Sequence, residues 1–196
     1  MAMLQVGITG GIGSGKTLVS DIFSSLQIPI YNSDIRAKEI TVFDAKVRKA
    51  IIQVFGNESY ASNALNREYL AKMVFSDKGK LEQLNRIIHP AVAADYSNWL
   101  LDFSNKPYVL KEAAILFESG SYKTCDKTIL VTAPQELRIK RVIKRDSVSR
   151  ESVLYRMKNQ MTNEEKLKLS DYQITNNGEQ SLILQVYKLH QQILQL

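Results

Sequence analysis

Val6-Gly7-Ile8-Thr9-Gly10-Gly11-Ile12-Gly13-Ser14-Gly15-Lys16-Thr17 is the stretch on which the reading of this chain turns. From Gly10 to Thr17 it fits G-x-x-x-x-G-K-[ST], the pattern of a phosphate-binding loop. Glycines let the backbone turn tightly and bring N–H groups close to phosphate oxygens. A helix that follows directs its positive end at the same anion. Lys16 supplies a compact charge for the β- and γ-phosphates, and Thr17 supplies a hydroxyl for Mg²⁺. The flanks meet the condition that gives the pattern meaning. Leu4, Val6 and Ile8 form an apolar run of strand length, and Leu18, Val19, Ile22, Phe23 and Leu26 recur at helical spacing.

Working outward, Ile28 to Asp34 reads as a second short strand ending in polar residues. In open α/β sheets ligands gather at the carboxyl ends of strands, which puts Asp34 where chemistry is done. A carboxylate there can accept a proton from a substrate hydroxyl, or it can cap a helix beginning near Ile35. From Ile35 to Lys106 the chain is expected to be helical, with no strand-like alternation. One stripe runs Val47, Ile51, Val54, Phe55 and stops at Gly56. A second, Leu81, Leu84, Ile87, Ile88, ends at His89-Pro90. A third runs Val92, Tyr96, Trp99, Leu100, Phe103.

Val109 to Ala114 reads as a buried strand interrupted by Glu112, an acid suited to assist Mg²⁺. Glu118, just beyond, can assist Mg²⁺ in its place or instead fix a loop. Lys127 to Val131 is a fourth strand. Thr132-Ala133-Pro134 then opens a helix bearing Arg138, Arg141 and Arg145 on one face. That row looks like the basic lid of a small-molecule kinase, where guanidinium groups stabilise charge on a transferring phosphoryl group. Asp171 to Gly178 gives a last strand and turn, and an amphipathic helix closes the chain. His190, on that helix, is read as a surface or packing residue rather than a ligand.

Composition agrees with such an enzyme. The 196 residues are 44% hydrophobic and 23% charged, with one cysteine, Cys125, read as a buried filler in a reducing cytoplasm. No stretch reads as a membrane span or a secretory signal, so a cytoplasmic location is expected. The net charge of +6 suits a pocket for polyanionic phosphates. A nucleic-acid binder would interleave aromatics with its basic residues, and the Arg138–Arg145 helix has none. A regulatory GTPase switch would carry D-x-x-G and N-K-x-D, and neither occurs.

Several landmarks fall in one order: Thr9-Gly10-Gly11-Ile12-Gly13-Ser14-Gly15-Lys16, Asn32-Ser33-Asp34, His89-Pro90, Ile115-Leu116-Phe117-Glu118-Ser119-Gly120, Arg141 with Arg145-Asp146, Gln160, and Ile174-Thr175-Asn176-Asn177-Gly178. In that order and spacing the chain resembles the dephospho-CoA kinase family over nearly its whole length. The resemblance implies an α/β fold with a parallel sheet flanked by helices, a helical substrate-binding insertion and a lid. It implies a core of residues 1–34, 107–134 and 170–196, a CoA-binding insertion at 35–106 and a lid at 135–169. It implies ATP and dephospho-CoA as substrates, Mg²⁺ at Thr17, and transfer to the ribose 3′-hydroxyl. Asp34 would be the base and would meet the acceptor together with His89. Leu18, Arg141, Arg145 and Asn176 would join the loop at the nucleotide. A monomer or small homo-oligomer without nucleic acid or membrane partners is expected. Another small-molecule kinase, for a nucleoside monophosphate or a sugar, is the alternative, and a non-catalytic nucleotide-binding module a more distant one. Asn32, Leu18 and Ala114 depart from the family pattern, where Asp, Ser or Thr, and Pro are common.

Overall fold

The computed structural model describes residues 3–62 and 64–196. Cα packing divides the chain into two compact units, Ser33–Asp102 and the remainder.

The larger unit is built on a five-stranded parallel sheet in the order β2-β5-β1-β6-β7. Its strands are β1 (Leu4–Thr9), β2 (Ile30–Asn32), β5 (Tyr108–Glu112), β6 (Lys127–Thr132) and β7 (Tyr172–Thr175). β1 lies at the centre. Central parallel strands are covered on both faces, so they read as apolar runs rather than alternating ones, and all five residues of β5 are buried. On one face Val6, Ile8, Leu110, Ile129, Val131 and Ile174 pack against α1 (Lys16–Ser25) and α9 (Leu182–Ile193). Their partners are Val19 and Phe23 of α1 and Val186, Leu189 and Ile193 of α9. On the other face a Cβ on Gly7 would meet Leu116 at 2.7 Å and the Cys125 sulfur at 3.0 Å. Burial pushes the Cys125 thiol up from its ordinary pKa. His190 does pack: its Nδ1 is 2.7 Å from the Tyr108 hydroxyl.

Three more helices complete this unit: α6 (Gln135–Asp146), α7 (Arg150–Lys158) and α8 (Asn163–Leu169). Pro134 stands at the N-cap of α6 rather than in its first turn. Ile139 and Val142 of α6 pack with Val153 of α7 and with Ile12 of the glycine-rich loop.

The unit Ser33–Asp102 contains α2 (Ser33–Phe43), α3 (Ala45–Phe55), α4 (Arg67–Ser76) and α5 (Lys78–Leu101). Its core is Ile40, Val47, Ile51, Phe55 and Leu70, and Arg36 of α2 forks onto Asp95 of α5. Gly56 closes α3 as expected. Two expectations need correction. The block is not wholly helical, because β3 (Tyr60–Ala61) and β4 (Ala64–Leu65) form a short antiparallel pair. Strands of two residues are too short to show alternation. Nor does a helix end at His89-Pro90, since α5 runs through Pro90. The proline removes one N–H from the helix ladder. Leu84, Ile87, Ile88, Ala91 and Val92 nevertheless continue one apolar stripe across it into the core, and that packing carries the helix past the break.

Candidate active site

The glycine-rich loop joins the carboxyl end of central β1 to the start of α1. Its carbonyls are held from outside by side chains. Lys16 Nζ donates to Gly10 O at 2.9 Å, Arg138 Nε to Ile12 O at 2.9 Å, and Asn176 Nδ2 to Ser14 O at 2.8 Å. Arg141 reaches Gly13 O at 3.5 Å. The Ile12 N–H donates to Gln160 Oε1 at 2.9 Å.

Two glycines are required by what stands behind the loop. A Cβ on Gly11 would fall inside the Arg138 guanidinium. One on Gly15, at φ 92°, would meet the Asn176 amide and force a left-handed backbone on a side chain. Tight turning and close approach to phosphate do not exhaust the reason for these glycines; the loop is also pressed against its own anchors. Gly15 caps α1 without a side chain, and the first turn carries no acid. The positive end of the helix is thus left to an anion.

Thr17 Oγ1 donates to Glu112 Oε1 at 3.0 Å. Glu112 is the last residue of β5, opposite Ile8 of β1 and Asn32 of β2, and it is only 3% exposed. Among the described residues no cluster of three or more His, Cys, Asp or Glu side chains can hold a metal. A hydroxyl paired with one carboxylate still suits Mg²⁺, which commonly takes one or two protein oxygens and fills its shell from phosphates and water.

Asp34 follows the end of β2 by two residues. Because α2 begins at Ser33, Asp34 lies in the first helical turn and not at the cap. His89 is exposed in mid-α5. Leu18 is 52% exposed in the first turn of α1.

The arginine row of α6 does not act as one face. Arg138 is 9% exposed, and burial lowers its pKa. Arg141 donates to Asn176 Oδ1 at 3.0 Å and to Asn176 O at 3.3 Å. Arg145 grips Asp146 through Nε and Nη2 at 2.7 and 3.1 Å, and Arg156 joins the same carboxylate at 3.0 Å. Asn176 is 5% exposed, and both ends of its amide are spent on Ser14 O and Arg141. Expected at the nucleotide, its side chain instead supports the loop from behind.

Arg138, read with Arg141 and Arg145 as a lid row, and Gln160, named only as a family landmark, were not assigned to the loop: they reach it across 126 and 148 residues. Glu118 does fix a loop, accepting from Met161 N at 3.1 Å and pairing with Lys166 at 2.8 Å.

Comparison with known proteins shows which family the chain is similar to. The family model described as dephospho-CoA kinase matches residues 4–181. A dephospho-CoA kinase of Chlorobium chlorochromatii is 40% identical over 200 residues, covering 98% of this chain and 94% of its own. One from Bacteroides fragilis is 37% identical over 186 residues, covering 95% and 91%. Among solved structures, a Thermus thermophilus protein superposes with a TM-score of 0.88 at 33% identity, covering 98% of each chain. A dephospho-CoA kinase from Campylobacter jejuni gives 0.70 at 29% identity, covering 97% of each.

Proposed function

The chain belongs to the dephospho-CoA kinase family, the ATP-dependent transferases of coenzyme A synthesis, and on that premise we propose how its residues divide the work. The phosphoryl acceptor is the ribose 3′-hydroxyl of dephospho-CoA. Asp34 takes the hydroxyl proton while the 3′-oxygen bonds to the γ-phosphorus and the bond to the β-bridging oxygen breaks, leaving CoA and ADP. The loop from Gly11 to Thr17 cradles the phosphates, with Leu18 and Arg145 at the edges of the nucleotide. Lys16 moves from Gly10 O to the β- and γ-phosphates, where its charge is worth more in the transition state than at rest. Arg141 contributes guanidinium charge to the same phosphates.

Thr17 and Glu112 would hold Mg²⁺, which would offset negative charge on the phosphates. The segment 35–106, including His89, forms the CoA-binding side, and 135–169 forms the lid, with α6 as its anchored root. The core is 1–34, 107–134 and 170–196. We further propose a cytoplasmic monomer or small homo-oligomer. Among the described residues no helix is long and apolar enough to cross a membrane.

The observation that carries the reading is the phosphate loop held in shape by Arg138 and Asn176, with the Thr17–Glu112 pair beside it. It is tested by incubating the protein with ATP, Mg²⁺ and dephospho-CoA, and in parallel with AMP, shikimate or gluconate. CoA and ADP in equal amounts, with no product from the other acceptors, is the expected result. Turnover of one of those acceptors, without CoA formation, would overturn the acceptor assignment.

A further inference from the structure

We propose that Gln160 is a positioning residue for the nucleotide phosphates, acting through the Ile12 amide and seated by the Glu118–Lys166 ion pair. The proposal rests on the phosphate-loop reading and adds a residue that shapes the loop from outside. Gln160 occupies the turn between α7 and α8, and its Oε1 accepts from Ile12 N at 2.9 Å. A peptide N–H can only donate, so the amide oxygen must face the loop. The Ile12 carbonyl is held at the same time by Arg138. Both peptide units flanking Ile12 are therefore fixed immediately before Gly13, where φ of 78° turns the chain into the cradle. Fixing those two units sets the direction in which the following N–H groups leave the turn.

The seat of Gln160 is itself built. Gln160 N donates to Met157 O at 3.1 Å, and Met161 N donates to Glu118 Oε1 at 3.1 Å. The same carboxylate oxygen meets Lys166 Nζ at 2.8 Å, with Lys166 fully buried and the Glu118 side chain 19% exposed. A buried ammonium facing a carboxylate is not a dispensable surface pair, because losing one partner strands the other's charge. Thr162 and Glu165 then start α8 with a reciprocal capping box. A glutamine on a loose turn would have to be ordered each time it gripped the loop; here that ordering is already done.

The test combines amide hydrogen exchange at Ile12, by NMR on the free protein, with binding of a non-hydrolysable ATP analogue and steady-state kinetics. Gln160→Ala should unprotect the Ile12 amide and raise both the analogue Kd and the KM for ATP by about tenfold. The KM for dephospho-CoA should stay unchanged, a split between the two substrates that a merely structural residue would not give. Gln160→Glu keeps an acceptor and should restore Ile12 protection. Lys166→Met tests the seat: Ile12 exchange should rise although the loop itself is untouched. An Ile12 amide still protected in Gln160→Ala, or ATP affinity unchanged or tighter, overturns the proposal. If the wild-type protein itself does not bind the analogue, it is the phosphate-loop reading that fails, and the inference goes with it.

Discussion

Ile12, Gly13 and Ser14 are held by side chains from Arg138, Arg141 and Asn176, whereas Ile51, Phe55 and Leu70 in the unit Ser33–Asp102 are held by one another. In the first region polar partners fix single carbonyls at 2.8–3.5 Å. In the second, shape and apolar area fix whole helices. Directional contacts place atoms to within tenths of an ångström, which charge stabilisation on a transferring phosphoryl group requires. Apolar packing is more forgiving of sequence, because a core tolerates substitutions that keep volume and pattern. The two regions thus differ in what holds them: directional bonds to single carbonyls in one, shared apolar area in the other.

That division is open to breaking. The largest expected effect is on turnover. Asp34→Asn should lower kcat by about 10²–10⁴-fold, in the range of a lost general base, while a nucleotide analogue still binds with wild-type affinity. Near-normal turnover would remove Asp34 from the chemistry. Next comes the helical unit. Ile51 is fully buried, so Ile51→Ala should cost about 2–5 kcal/mol in chemical denaturation. Analogue affinity measured well below the transition should hold, and an equal loss of affinity would show that the two regions are not independent.

A smaller effect separates two arginines of one helix. Arg138→Met strips Ile12 O of its donor and should cost about 1–3 kcal/mol of stability and weaken nucleotide binding. Arg145→Met, on an exposed ion pair, should stay within about 0.5 kcal/mol by the same denaturation measurement. Equal effects would mean that anchoring from behind carries no special weight.

The smallest concerns His190. Burial lowers its pKa below the ordinary 6.5 and raises that of Tyr108, so at neutral pH an uncharged ring faces a protonated hydroxyl at 2.7 Å. The unfolded chain then binds the extra proton more readily than the folded one. The contribution is whole above about pH 6.5 and is lost as pH falls through the lowered folded pKa. His190→Gln should flatten the stability curve in that acidic window relative to wild type. An unaltered slope would assign the acid sensitivity to other groups.

The β1–loop–α1 segment was legible because its signal is contiguous: a strand, a glycine pattern and a helix follow one another within residues 4–26. Glu112 was legible in part, as an acid out of place in an apolar run, and the structure brings it to Thr17. The anchors were not. Arg138, Gln160 and Asn176 lie 126, 148 and 162 residues from the atoms they hold, and nothing in local spacing distinguishes a loop-holding arginine from the exposed Arg145 seven residues on. In the helical unit the apolar stripes marked α3 and both halves of α5, but not α2 or α4. Pro90 read as an end because its missing N–H is local, whereas the packing that overrides it is tertiary.

The Asn176–Ser14 hydrogen bond carries a consequence for how this enzyme comes into being. The motif is translated within the first tenth of the chain, yet a strut it leans on is made near the last. Nascent chains that stop short of Asn176 should carry an intact glycine pattern with one of its supports missing. Nucleotide affinity would then emerge late in synthesis, as a sign that the C-terminal strand has docked.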